Sequence, residues 1–229
     1  MITLAVKCAP IQTILDAVDK AGITGVEVYL SKKILDDYEH AASICGEYDF
    51  SYAVHAPNDD FNPKALARFV STIGATVIVF HDIYWEDEWK KIIKSFKKVP
   101  TLVCIENVSS VINPAKFIRR YGAHRCLDLE HMQFEVIGVF EEEFINVIRD
   151  AKHIHLTGYY AGSKLWHSHI HHAPEHGRFM LDMIAASGYS GMVVSEARTV
   201  LQTYEEFREL NNFFNEWQRG RAQSAAMNK

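Results

Sequence analysis

The feature that most constrains the fold of this chain is a regular alternation of short β-rich runs with longer amphipathic stretches, sustained along almost its whole length. Strand candidates fall at 2–6, 25–30, 50–55, 76–81, 101–106, 125–129, 153–157 and 192–196. Helical patterns fill the intervals, at 11–21, 33–47, 63–73, 86–98, 114–121, 133–149, 174–187 and 204–219. Alternation of this kind is the signature of βαβ units on a parallel sheet. Eight evenly spaced units fit a closed, single-domain α/β barrel, the (β/α)8 or TIM barrel, better than a doubly wound sheet. No Gly-rich phosphate fingerprint follows the first strand, which counts further against the doubly wound alternative. The barrel is expected over residues 1–219, with 220–229, small and polar, as a flexible tail.

Local signals agree with these boundaries. Asn62-Pro63 and Asn113-Pro114 read as an N-cap followed by a first-turn proline. Gly22, Gly74, Gly122 and Gly188 each follow a helical run, where a left-handed cap is expected. One connection, 158–173, is longer than a usual βα loop and rich in His and aromatic residues, so it reads as an active-site flap.

Composition narrows the function classes. The net charge is −5 and no basic cluster exceeds Lys97-Lys98 or Arg119-Arg120. A nucleic-acid partner would need a basic stripe to neutralise phosphates, so none is expected. No apolar run reaches the ~18 residues of a membrane span. The N-terminus reads as a first strand and lacks the flanks of a signal peptide. Four scattered cysteines without a C-x-x-C pair point to reduced thiols and a cytoplasmic location; Cys104 and Cys126 sit in apolar runs as small hydrophobes. The oddity is twelve histidines, five of them between Trp166 and His176.

In a parallel barrel the chemistry lies at the C-terminal ends of the strands. Strands 3 to 8 deliver His55, His81, Glu106, Asp128, His155 and Glu196 to that rim, each breaking an apolar run. Imidazole and carboxylate together are ligands for Zn2+, Mn2+, Fe2+ or Co2+, and a cation relieves the mutual repulsion of the carboxylates. A purely structural ion-pair network would need Lys or Arg on nearby strand ends, and none is expected there. His131, three residues past Asp128, is a further ligand or a substrate contact. His169 and His171 in the flap are candidates to clamp a metal together. His153 reads as a buried core residue, and His167, His172 and His176 as flap surface or packing. Tyr84, Trp85, Tyr159, Tyr160 and Trp166 follow strand ends and are candidates to line a pocket, with Lys164 as an anion contact; Tyr84, Lys164 and Trp166 join His131 as substrate-binding candidates.

The pieces His55-Ala56-Pro57, Phe80-His81, Glu106-Asn107, Leu127-Asp128-x-x-His131, His155-Leu156, His169-x-His171 and Ser195-Glu196 resemble the xylose-isomerase-like, AP-endonuclease-2 superfamily over nearly the whole chain. The resemblance implies Glu106, Asp128, His155 and Glu196 as metal ligands of the kind its isomerases and epimerases share. The additional histidines resemble the trinuclear zinc site of endonuclease IV, which adds His55, His81, His131 and His171. His169 stands where that family carries the Asp of Asp-x-His, and Ala161 stands where sugar epimerases usually carry an Arg.

Two mechanisms follow as expectations. In one, a metal chelates vicinal oxygens of a small sugar or sugar phosphate and acidifies the adjacent C–H, while Glu106 and Glu196 remove and return the proton through an enediolate-like intermediate. In the other, two or three metals hydrolyse a small phosphoester. A multinuclear iron oxidoreductase and a non-catalytic metal-storage or ligand-binding barrel are the remaining readings. One to three divalent ions and a small polar substrate are expected in every catalytic case.

Overall fold

A computed structural model describes residues 1–108, 113–132, 141–158 and 164–227. Eight parallel strands close into a barrel in sequence order: β1 (Ile2–Cys8), β2 (Gly25–Tyr29), β3 (Ser51–His55), β4 (Val77–His81), β5 (Leu102–Glu106), β6 (His124–Asp128), β7 (Ala151–His155) and β8 (Gly191–Ser195). The α/β TIM barrel read from the sequence is therefore the observed fold. Around it run α1 (Gln12–Lys20), α2 (Lys32–Asp36), α3 (Tyr38–Cys45), α4 (Pro63–Thr72), α5 (Glu86–Phe96), α6 (Asn113–Tyr121), α7 (Leu129–Met132), α8 (Glu141–Asp150), α9 (Pro174–Ala186) and α10 (Tyr204–Met227). Among the described residues, no helix is long and apolar enough to cross a membrane.

Local chemistry sets the element ends. The Asn62 side chain accepts from the backbone N–H groups of Lys64 and Ala65 at 3.0 and 3.4 Å, and Pro63 opens α4. In the Gly22-Ile23-Thr24-Gly25 return, Gly22 takes φ +76°, and a Cβ on Gly25 would meet the Leu4 carbonyl oxygen at 2.7 Å.

Three expectations differ from the structure. The helix read over 33–47 is two helices, because Asp37 leaves the helical region (φ −119°, ψ 50°), as a residue with a short competing acceptor readily does. Of the helix read over 133–149, Glu141–Asp150 is observed, and 133–140 lies outside the described residues. The last helix runs past Arg219 through Gly220 to Met227, where a fraying tail was expected. Arg221 helps hold it, its guanidinium 5.5 Å from the Trp217 ring centroid and 3.6 Å from Asp182.

The main core lies between sheet and helices. It includes an aromatic group in which Trp89, fully buried, packs against Phe80, Tyr84 and Phe117 with centroids 5.5–5.7 Å apart. A second cluster fills the barrel itself and holds Ala5, Ala53, Val77, Val79, Cys104, Cys126, Met192 and Val194. Side chains alternate along a strand, so the residue two positions on from each inward residue faces the same interior. That period carries Ala5 to Lys7, Gly25 to Glu27, Ala53 to His55, Val79 to His81, Cys104 to Glu106, Cys126 to Asp128, His153 to His155 and Val194 to Glu196. Small apolar groups plug the bottom of the barrel, and a layer of ionisable groups lies above them.

Candidate metal centre

Strand register brings the ionisable layer together. His81 is the cross-strand partner of Glu106, Asp128 of His155, and Lys7 of Glu27. His55, Glu106, Asp128 and His155 are almost completely buried, and the Glu196 side chain keeps 24% of its exposure, facing the mouth.

His155 is the hub. Its Nε2 lies 3.1 Å from Glu27 Oε2, and a carboxylate can only accept, so this nitrogen carries hydrogen. Its Nδ1 then faces Glu106 Oε2 at 3.5 Å, Asp128 Oδ2 at 3.8 Å and Glu196 Oε2 at 3.5 Å. A lone pair opposite three carboxylate oxygens needs a cation, and either a proton or a metal ion can supply it. In the chain alone a proton does. Burial favours the neutral ring, yet the neighbouring acidic groups Cys126, Glu27 and Glu106 hold His155 well above its ordinary value. The Cys126 thiol, pushed up to about 12 chiefly by burial, stays neutral, so the carboxylates carry the effect.

His55 poses the same demand from β3. Its Nδ1 lies 3.0 Å from the Ala56 carbonyl oxygen and so must donate. Burial, with Lys7 nearby, lowers its pKa and keeps the ring neutral, against the pull of Glu106. Its Nε2 lone pair therefore points at Glu106 Oε2, 3.1 Å away. His81 Nε2 approaches the same oxygen at 3.5 Å, while His131 Nδ1 lies 3.6 Å from both Glu106 Oε1 and Asp128 Oδ2 and donates to the Asn107 carbonyl at 3.0 Å. Burial alone would raise Glu106, but His155 foremost, with His55 and His81, holds it well below the usual carboxylate range. Donor set, burial and opposed acceptors fit a divalent cation at His155 Nδ1, Glu106, Asp128 and Glu196, with room for Glu106 to share a second ion with His55 and His81.

The sequence reading missed two members of this layer. Lys7 Nζ is 2.8 Å from Glu196 Oε2 and 3.9 Å from Glu27 Oε1, which corrects the expectation that no basic residue stands on a nearby strand end. Burial works against the ammonium, but Glu196, Glu27 and Glu106 more than compensate and raise its pKa. Glu27, fully buried, also takes a 2.6 Å bond from His153 Nε2. Burial would raise it, but His155 and His153 hold it well below the carboxylate range. The inward period of two from Ala5 and Gly25 would have found both residues.

Other candidates stand apart. His169 spends both ring nitrogens locally, with Ser195 Oγ 2.8 Å from Nδ1 and the Leu201 carbonyl 3.2 Å from Nε2. His171 faces Glu206 on α10. The Tyr84 hydroxyl donates to the Pro57 carbonyl at 2.6 Å. Its ring lines a cleft of about 380 Å³ whose walls include none of Glu106, Asp128, His155 and Glu196. Lys164 and Trp166 are exposed, Trp166 lying against His167; Tyr159, Tyr160 and Ala161 lie outside the described residues.

A cavity that reaches the ionisable layer at Lys7 and Glu196 measures about 430 Å³ and is bounded also by Tyr29, His167, Arg198 and Gln202. His167 holds its place there with a left-handed φ of 48°, because buried Glu130 accepts from its backbone N–H at 2.9 Å and faces its Nδ1 at 3.0 Å. Glu130 is a further residue the sequence reading passed over, one that ties the flap to the rim.

No protein-family model matches this chain. No curated protein matches it either. Among solved structures it is similar to a 3-keto-D-glucoside 4-epimerase from E. coli, with a TM-score of 0.64 and 13% identity over 94% of this chain and 100% of that one. It is also similar to a phosphoribosyl anthranilate isomerase from Thermotoga maritima (TM-score 0.57, 14% identity, 93% of this chain and 98% of that one). A 3-hexulose-6-phosphate synthase aligns with a TM-score of 0.52 at 11% identity, over 91% of this chain and 98% of that one. At such identities the likeness establishes the barrel fold.

Proposed function

We propose that this chain is a divalent-metal-dependent isomerase or epimerase acting on a small sugar or sugar phosphate. The observation that carries the reading is the convergence of His155 Nδ1 with three carboxylate oxygens, 3.5–3.8 Å away, beneath a cavity of about 430 Å³. The resemblance of the rim motifs to the xylose-isomerase-like superfamily supports it. So do the activities of the similar 4-epimerase and isomerase. A cation held by Glu106, Asp128, His155 and Glu196 would supply the positive charge that draws electron density from vicinal substrate oxygens and acidifies the C–H between them.

The residues of the chain do the rest. Glu196 is the carboxylate open to the cavity, so it is placed to take or give a proton at a bound carbon. Glu106, buried in the layer below Glu196, is the second proton carrier. Lys7 holds Glu196 ionised: burial would raise this carboxyl, but the ammonium, with His155, keeps it below its ordinary value. Arg198 at the cavity edge offers a bidentate partner for an anionic group such as a phosphate. A cavity of this size suits a single sugar ring or its phosphate.

A second reading is hydrolysis of a small phosphoester by two or three ions. It is favoured by one observation: Glu106 belongs both to a group with His55 and His81 and to one with Asp128 and His131.

The deciding experiment loads the stripped protein with Zn2+, Mn2+, Fe2+ or Co2+ and incubates it in D2O with a panel of sugars and sugar phosphates, followed by NMR. Metal-dependent loss of a carbon-bound proton, abolished in Glu196→Gln, is the expected result. Release of inorganic phosphate without exchange would replace this reading by the second. Full exchange in both Glu106→Gln and Glu196→Gln would overturn the assignment of the proton carriers.

A further inference from the structure

The histidine-rich segment after β7 contains a cluster that the barrel mouth does not use. A 3-10 turn, Ile170–His172, lays two consecutive imidazoles against the first turn of α10, their centroids 4.3 Å apart and their planes tilted by 33°. Both Nε2 atoms address one carboxylate oxygen: Glu206 Oε2 lies 3.2 Å from His171 and 2.8 Å from His172. The three donor atoms all lie within 4.8 Å of one another. The side chains retain 15%, 34% and 25% of their exposure, which leaves a path for an ion. Both walls are anchored, since Ile170 and Phe207, the immediate neighbours of His171 and Glu206, are buried in the core.

We propose that His171, His172 and Glu206 form a second metal site, separate from the barrel mouth, for a borderline divalent cation of the Zn2+ type. Two imidazoles and a carboxylate are a zinc donor set, and tetrahedral coordination at 2.0–2.1 Å leaves donors about 3.3 Å apart, close to the separations observed. The fourth position opens to solvent. Without an ion, both rings donate to one carboxylate oxygen, and two imidazolium rings this close would repel one another. One divalent ion takes both lone pairs and the carboxylate at once. Such an ion would clip the segment that carries His167 and His169 onto α10, and so would brace the flap from behind. The two histidines are adjacent in sequence and Glu206 comes from a distant helix, so the site exists only in the folded chain.

The test is equilibrium dialysis of the full chain against Zn2+ at a low free concentration set by a chelator, with bound metal counted by plasma mass spectrometry. Wild type, Asp128→Asn, the pair His172→Gln/Glu206→Gln and the triple combination are compared, with circular dichroism to confirm that each is folded. The pair is expected to lose one equivalent relative to wild type. Asp128→Asn is expected to keep that equivalent, and the triple variant to lose it. Added Zn2+ is expected to raise Tm more in Asp128→Asn than in the triple variant. Unchanged stoichiometry in the pair, or no zinc uptake at all in Asp128→Asn, would reduce the cluster to a hydrogen-bonded surface group. The Asp128→Asn arm reads this site apart from the proposed centre at the mouth, so neither proposal stands or falls with the other.

Discussion

Replacing Glu27 with Gln tests whether a residue that touches no substrate sets the affinity of the proposed metal site. Glu27 Oε2 accepts from His155 Nε2 at 3.1 Å and from His153 Nε2 at 2.6 Å, and its other oxygen lies 3.9 Å from Lys7 Nζ. The charge on Glu27 keeps hydrogen on His155 Nε2 and the lone pair on Nδ1. Glutamine preserves volume but carries two N–H donors, which must face either an imidazole N–H or the Lys7 ammonium. Adding the ring width to the 3.1 Å contact places the Glu27 charge roughly 7 Å from an ion on Nδ1, worth about 5 kcal/mol at an effective dielectric constant of about 20. Part of that is offset, because the Lys7 ammonium beside Glu27 already draws on the same charge. Outer carboxylates behind metal-bound histidines contribute 10–100-fold in affinity, about 1.4–2.7 kcal/mol, and that is the expected loss. The assay is competition titration of Zn2+ or Co2+ with a chromophoric chelator, run beside urea denaturation of the metal-free protein. A Glu27→Gln protein that stays folded and binds metal within threefold of wild type would refute the reasoning.

Further predictions follow from the same geometry. Lys7 competes with an ion for Glu196 Oε2, so Lys7→Met is expected to tighten metal binding by about tenfold, the opposite sign to Glu27→Gln, in the same titration. Weaker binding would show that Lys7 organises the site instead. Trp89 is fully buried among aromatic rings, and Trp89→Ala is expected to cost about 3–5 kcal/mol in urea denaturation. Trp89→Phe should cost much less, because it also removes an indole N–H that has no hydrogen-bond partner among the described residues. Burial pushes the Cys8 and Cys45 thiols up to about 12, so both stay protonated across the stable pH range. All four buried cysteines are expected to resist a thiol-specific chromogenic reagent at pH 8 and to react together on unfolding; rapid native labelling would contradict the packing.

How much of this was legible in the sequence depended on which physical signal each residue carried. Strand positions were readable to within two residues because most strands hold a short apolar run next to a charged or turn-forming residue. The rim of His55, His81, Glu106, Asp128, His155 and Glu196 was readable for the same reason, each being a polar interruption at a strand end. Lys7 and Glu27 escaped because they interrupt their strands before the end: β1 continues to Cys8 and β2 to Tyr29. Only the inward period of two, followed from the barrel plug upward, identifies them. The flap histidines were placed by spacing, and spacing cannot say which wall a long connection packs against. His169 and His171 turn toward Ser195 and α10 because Ile170, between them, is buried in the core.

Lys7 reopens a question that the sequence answered too easily, whether the mouth is a structural ion-pair network needing no metal. Four carboxylate side chains, Glu27, Glu106, Asp128 and Glu196, share the layer. Against them, among the described residues, stand the Lys7 ammonium and the His155 imidazole, which the neighbouring carboxylates hold in its charged form. His55 and His153 add nothing, since burial, the largest influence on each, keeps both rings below their ordinary pKa and therefore neutral. Lys7 and His155 facing four carboxylates leave excess negative charge in a place where isolated charge is expensive. A structural network selected for stability would close that gap with apolar substitutions or a second Lys. Here the uncompensated oxygens instead converge on one lone pair beneath an open cavity. A divalent ion that displaces the proton from His155 Nδ1 brings the balance to within one charge. The arrangement is therefore costly as a scaffold and well suited as a cation site, and the opposite effects expected of Glu27→Gln and Lys7→Met on metal affinity follow from that imbalance.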